Sequence, residues 1–192
     1  MEKIASHVGA RGGNLIVSSP SGLRIDSSPS VAEITREFDA AGWNTQNSRV
    51  TRLLSRTNYP GFLTDADLHT VEELQSFPIY TEFLSPRGAD AGAATVVMGA
   101  NNDGIVLAFE AFHDHDAASK AIPYLNRLRP HLARAAVLSG RVQDQHLTSQ
   151  MATLDAIGAP VALLDGKGKL IAASDRFSLL LDDLIVDASK RL

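Results

Sequence analysis

His113, Asp114, His115 and Asp116 form the densest run of chemistry-bearing side chains in the chain. Two histidines one residue apart hold a divalent cation when further ligands converge on them. Here the run stands between an apolar strand pattern and a long helical pattern. An aspartate at that place caps a helix, and acids suit its positive end. The expectation is therefore a cap, with no metal. No nucleophile constellation accompanies the six histidines. There is no cysteine, no G-x-S-x-G elbow, no phosphate-binding P-loop and no dinucleotide fingerprint. Gly9, Gly12 and Gly13 precede a strand, and Gly166 and Gly168 sit between two strands, so both runs read as turn chemistry. No catalytic residue and no cofactor is assigned, and the chain reads as non-enzymatic.

The aromatic residues are distributed more suggestively. Seven of the eleven fall between Phe38 and Phe83: Phe38, Trp43, Tyr59, Phe62, Phe77, Tyr80 and Phe83. Small-molecule cavities are mostly apolar and aromatic, with a few polar groups that fix orientation. The same residues also suit a plain core between helices and sheet, and both readings stand. As a ligand site, the aromatic set expected is Trp43, Tyr59, Phe62, Tyr80 and Phe83, and the resemblance given below adds Asn47 to it.

These residues must be positioned by the elements around them. Residues 2–10 read as a short helix stopped by Gly12-Gly13. Asn14 to Ser18 and Leu23 to Asp26 read as two strands joined by Ser19-Pro-Ser-Gly22, a hairpin. Ser30-Val-Ala-Glu33 has the pattern of a capping box, and Val31, Ile34 and Phe38 form one apolar stripe of the helix it opens, which stops near Gly42. Ser48 to Leu54 reads as a short helix. Thr70-Val-Glu-Glu73 is a second capping box, Phe77 to Leu84 continues the helical region, and Ser85-Pro-Arg-Gly88 breaks it. Gly92 to Met98 and Ile105 to Glu110 are the strongest strands, with an Asn-Asn-Asp-Gly turn at 101–104. Hairpins imply an antiparallel sheet, so the predicted class is α+β: one antiparallel sheet with helices packed on it, of the GAF or PAS sensor kind.

A long helix is predicted from Asp116 to Ile157, followed by a strand, a Gly-rich turn and a strand over Val161–Ser174. Too few residues follow for a complete second domain. The division expected is 1–140 for a GAF-like sensory domain with the long helix, and 141–192 for a linker helix and a partial PAS-like segment. Leu125, Leu128, Leu132 and Ala135 are spaced three, four and three apart, a short coiled-coil seam. Pro130 interrupts it and predicts either a kink or a helix start. The helix either packs on its own sheet or forms a homodimer seam that transmits a signal. Val161, Leu163, Leu164, Leu170 and Ile171 are expected to stay exposed unless a partner covers them.

Hydrophobic residues make up 44% and charged residues 21% of 192, the balance of a globular domain with a sizeable core. A net charge of −4 argues against a nucleic-acid surface over the whole chain. The best basic stripe, Arg127, Arg129, His131 and Arg134, reads as a solvated helix face. The absence of cysteine suits a reducing compartment, no apolar run is long enough to span a bilayer, and the N-terminus has no signal-peptide core. A cytoplasmic protein is expected.

Four segments carry a resemblance. Ala41–Val50, Gly61–Asp67, Glu73 through Ile79–Gly88, and Leu125–Ala136 resemble the N-terminal sensory region of LuxR-type helix-turn-helix transcriptional regulators of bacteria. The Tyr80–Gly88 and Leu125–Ala136 segments contribute most. The resemblance implies a GAF-like or autoinducer-binding-like domain, a PAS-like segment after it, a small-molecule ligand, and no direct nucleic-acid binding by this fragment, because the DNA-binding domain is absent from the chain. Where acyl-homoserine-lactone receptors carry Asp-Pro-Val, whose Asp holds the ligand amide, the matching run here is Asn47-Ser48-Arg49-Val50. An asparagine there is an acceptor without charge. The rival expectation is a dimerisation or interaction module with a filled core and no ligand.

Overall fold

In a computed structural model the chain is described at all residues except 20–21, 99–103, 165–167, 169 and 185–192. Two compact units divide it, Met1–Ala136 and Val137–Leu192. The first unit is built on a five-stranded antiparallel sheet of β1 (Ala10–Ser19), β2 (Gly22–Ser27), β3 (Leu63–Thr64), β4 (Ala93–Met98) and β5 (Gly104–Phe112), in the order β2-β1-β5-β4-β3. Both predicted hairpins therefore merge into one sheet. The merging pair is β1 with β5, in register from Ala10 opposite Phe112 to Ser18 opposite Gly104. The turn predicted at 101–104 falls mostly outside the described residues.

Helix α1 (Glu2–Val8) ends at Gly9, whose left-handed φ of 82° closes it. The stop comes earlier than the predicted Gly12-Gly13, because those two glycines are extended inside β1. Their lack of side chains matters there: a Cβ on Gly12 would meet Ser28, Ser30 and Val31, and one on Gly13 would meet the Ala108 carbonyl and Met1. Helix α2 (Pro29–Ala40) begins with Pro29 in its first turn and Ser28 as N-cap. The predicted capping box at Ser30 does not form. Ser30 donates to the Arg11 carbonyl at 2.7 Å, and Ser28 Oγ accepts from the Gly13 amide at 2.8 Å, so both hydroxyls tie the helix to β1.

Helix α3 (Ser48–Leu54) lies where predicted and is capped by Asn47, whose side chain accepts from the Val50 amide at 3.2 Å. Three elements were not foreseen: a 3-10 turn (Trp43–Gln46), β3 and the one-turn α4 (Asp65–Leu68). A reciprocal Thr64–Asp67 capping box starts α4. Helix α5 (Val71–Ser76) opens with the expected Thr70–Glu73 box, and the Arg52 guanidinium bonded to Glu73 holds that carboxyl down at about 2. Phe77 is extended and breaks the predicted helical continuation; a π-helical turn (Ile79–Leu84) and a 3-10 turn (Ser85–Arg87) follow, closed by Gly88 at φ 60°.

The sheet is covered on both faces, which is why β5 is buried along nearly its whole length. On one face Ile16, Ala94, Val96 and Val106 pack against Leu53, Leu63 and Leu68. At the end of the sheet, Ile79, Tyr80, Phe83, Leu84, Ala89 and Ala111 form a second cluster, backed by Ile34, Phe38, Trp43, Leu74 and Phe77. Each fully buried Val, Leu, Ile or Phe among them contributes about 1.5–3 kcal/mol.

On the opposite face run Phe62, Phe109 and the first half of α6 (His115–Ala156). The Asp114 carboxylate caps α6, accepting from the Ala117 amide at 2.7 Å. The helix continues through Pro123 and Pro130, so the start considered at Pro130 is absent. Arg129 is not part of a solvated stripe. Its guanidinium donates to Thr95 Oγ1 at 2.7 Å and to the Val96 carbonyl at 3.0 Å, pinning the helix to β4. Of the seam residues, Leu125 is fully buried within the first unit, Leu128 and Leu132 are half-buried, and Ala135 is exposed.

The second unit holds the remainder of α6, the hairpin β6 (Ala162–Leu164) with β7 (Leu170–Ala173), and α7 (Asp175–Leu184). Ser174 joins hairpin and helix: its Oγ accepts from the amides of Val161 and Phe177. Leu164 and Leu170 are exposed as expected, together with Leu179, whereas Val161 and Leu163 are half-buried. The Ile171 side chain lies outside the described residues.

Candidate functional site

A cavity of about 110 Å³ lies between the sheet and the helices α2, α3 and α4. Its floor is the row of side chains that the pleat sends to that face: Asn14 and Ile16 from β1, Ala94 from β4, and Val106, Ala108 and Glu110 from β5. Val31, Ile34, Thr35 and Phe38 of α2 form one wall; Val50 and Leu53 of α3 form another. The wall is mainly aliphatic, and its charged groups, Arg49, Asp65 and Glu110, meet at one end.

That end is organised by Asp65. Arg49 reaches it with two hydrogen bonds, Nε to Oδ1 at 2.7 Å and Nη2 to Oδ2 at 3.0 Å. The same Nη2 donates to Glu110 Oε2 at 2.7 Å. The Tyr80 hydroxyl donates to Asp65 Oδ1 at 2.9 Å and the Gly92 amide to Oδ2 at 2.7 Å. Burial pulls the Arg49 guanidinium down, but the neighbouring carboxylates of Asp65 and Glu110 outweigh it and hold it above its ordinary value. Tyr80 is raised by burial and by the adjacent Asp65 charge, so it stays a neutral donor.

His69 continues the network beneath the cavity. Its Nδ1 lies 3.2 Å from the Asp65 carbonyl and 3.2 Å from the Tyr80 oxygen, and its Nε2 lies 3.0 Å from Ser48 Oγ. A proton on Nδ1 satisfies the carbonyl, and Nε2 then accepts from Ser48. This is a neutral imidazole, in agreement with the downward shift that burial imposes. The neutral form is preferred in the fold, so the contribution is full above the unfolded value near 6.5 and is lost as pH falls below it. Urea unfolding at pH 7.5 and pH 5.5 is expected to show a loss at the lower pH that is smaller in His69→Gln.

Of the six residues expected to contact a ligand, Asn47 lies in the cavity wall. Tyr80 stands behind it and orients Asp65. Phe83 packs edge-on to Phe38, with ring centres 5.2 Å apart, and against Trp43 at 6.1 Å, so these rings back the wall through Phe38. Phe62 lies on the other face of the sheet against Phe109, with its amide donating to Asn126 at 2.8 Å. Tyr59 is exposed. Arg49, Asp65 and Glu110 were not picked out from the sequence. Two signals were present. Arg49 precedes Leu53 by four residues and so shares its buried face. Glu110 alternates with Val106 and Ala108 on an inward strand face. Among the described residues, no group of histidines and acids is arranged to hold a metal ion, and no helix is long and apolar enough to cross a membrane.

An open antiparallel sheet, helices over both faces and a cavity under one set of them define an α+β domain. Neither the protein-family models nor the curated proteins give a match. Among solved structures, the chain is similar to CepR2 of Burkholderia cenocepacia, an N-acylhomoserine lactone dependent LuxR family transcription factor, at 16% identity and a TM-score of 0.46, over 67% of this chain and 71% of that one. It is similar to the VqsR LBD domain of Pseudomonas aeruginosa at 12% identity and 0.46, over 70% and 80% of the two chains. For SdiA of Escherichia coli the values are 15% and 0.42, over 57% of this chain and 44% of that chain.

Proposed function

We propose that this chain is the ligand-sensing region of a LuxR-type transcriptional regulator, acting in the cytoplasm without catalysing a reaction. The observation that supports it most is the cavity itself. Aliphatic walls meet one polar end whose groups are already fixed by Tyr80, Gly92 and His69, the pattern of a preorganised small-molecule site. The resemblance of the Tyr80–Gly88 and Leu125–Ala136 segments agrees with it. The ligand sits against Asn47 and the Arg49–Asp65–Glu110 group; Trp43, Tyr80 and Phe83 act by holding the wall. Binding biases α6, which is bonded to the sheet through Arg129–Thr95 and Asn126–Phe62.

Native mass spectrometry of the purified chain tests this, with a co-purified small molecule as the expected result. Leu53→Trp, which fills the cavity, is expected to abolish its retention. Retention unchanged in that variant would move the ligand elsewhere. The same spectra count subunits: a homodimer through α6 is proposed, with Leu138 exposed on its second half. A second reading, an interaction module without ligand, is favoured by the exposed Leu164, Leu170 and Leu179 of the second unit. It predicts an assembly that carries no small molecule and is unaffected by Leu53→Trp.

A further inference from the structure

The charged side chains in the cavity wall are Arg49, Asp65 and Glu110, which sum to one net negative charge. Asp65 is already saturated. Arg49 Nε and the Tyr80 hydroxyl occupy Oδ1; Arg49 Nη2 and the Gly92 amide occupy Oδ2. A carboxylate offers about four acceptor positions, so nothing on Asp65 remains for a guest. Glu110 differs. Arg49 engages its Oε2, while among the described residues no hydrogen bond reaches Oε1. Its side chain is mostly buried, 16% exposed, on the inward face of β5.

A carboxylate oxygen without a hydrogen bond, on the wall of a mainly apolar cavity whose one cation among the described lining residues is already paired, offers an acceptor to a cationic donor and leaves one net negative charge. A neutral guest leaves it so, and an anionic guest doubles it. We infer that the cavity takes a small monocation: an ammonium group donating to Glu110 Oε1, with a short aliphatic body against Ile16, Leu53 and Val106. The inference rests on the ligand-sensing reading and names the class of its ligand. The volume limits the body. At about 110 Å³ the cavity is smaller than the roughly 150 Å³ that accepts benzene, which points to a body of at most about four carbons.

The test uses three probes of one size on the whole chain at pH 7.5: n-butylamine, butan-1-ol and butyrate, followed by calorimetry and thermal melts. Butylamine is expected to bind and raise Tm in proportion to its concentration, with the alcohol and the acid weaker by about tenfold or more. Glu110→Gln is expected to remove that preference. Ala108→Leu, which leaves the charged trio in place and fills the space, is expected to block butylamine; it serves if Glu110→Gln does not fold. Butan-1-ol or butyrate binding as tightly as butylamine overturns the monocation assignment and leaves the sensor reading standing. Failure of all three probes to bind wild type also overturns it; a co-purified molecule then still upholds the sensor reading, and its absence removes both.

Discussion

Asp65→Ala is expected to lower the stability of the first unit by about 3–5 kcal/mol, the range for removing one partner of a buried ion pair. The reason is the number of groups that depend on this carboxylate. Its side chain is 1% exposed, and it receives Arg49 twice, the Tyr80 hydroxyl and the Gly92 amide. Without it the guanidinium keeps a single partner, Glu110, while the Tyr80 hydroxyl and the Gly92 amide lose theirs in a buried setting. Asp65 is the first residue of α4 and Arg49 belongs to α3, so loss of this carboxylate unties two of the helices that cover the cavity. Tyr80→Phe removes only one donor from the same carboxylate and is expected to cost about 1 kcal/mol. Urea unfolding followed by Trp43 fluorescence measures both. An Asp65→Ala loss no larger than that of Tyr80→Phe would show that the network is solvated and contributes little.

The sheet was readable because its strands declare themselves locally. The Gly92–Met98 and Ile105–Glu110 runs are apolar and β-branched, and each faces a turn sequence, so strand, hairpin and antiparallel order follow from neighbours in the chain. Helices α3 and α5 were legible for the same reason, through periodicity and the Thr70–Glu73 box. What escaped was set by long-range contacts. The two-residue β3 exists because Leu63 and Thr64 pair with Ala94 and Ala93, and nothing in Leu-Thr alone announces a strand. Ser30 carries the residues of a capping box, yet its hydroxyl is taken by the Arg11 carbonyl from a separate strand. Arg129 looked like part of a solvated stripe because helical spacing cannot tell that a buried threonine on β4 awaits it. The site was obscured by the same cause. Aromatic density drew attention to Tyr59 and Phe62, whereas the polar end of the cavity joins positions 49, 65 and 110, which meet only once the sheet is assembled. Asn47 was singled out through the resemblance, as the residue standing where related receptors carry the Asp of Asp-Pro-Val; that it also caps α3 was not read from the sequence.

Gly92→Ala is the sharpest check on that assembly. The amide of Gly92 donates to Asp65, which brings its backbone close against the charged trio. A Cβ at this position would collide with the Arg49 guanidinium and would lie 2.9 Å from Glu110 Oε2 and 3.1 Å from Asp65 Oδ2. The flexible end of an arginine usually yields to a methyl group at little cost. Here it is held by two carboxylates, so moving it breaks the ion pairs that keep the cavity's polar end in place. Overpacking of this kind costs about 1–3 kcal/mol, and the accompanying loss of charge pairing places this variant at the upper end. The cause is separable. In an Arg49→Ala background the severest collision is gone and the Glu110 carboxylate, released from its ion pair, can give way, so the double variant is expected to be less destabilised than the sum of the two single ones, by about 1 kcal/mol or more. Strict additivity in urea unfolding would mean that Gly92 is required for its own backbone rather than for the guanidinium beside it. Butylamine binding adds an independent readout: displacement of Arg49 leaves Glu110 without its cation and is expected to strengthen the amine preference wherever the fold survives.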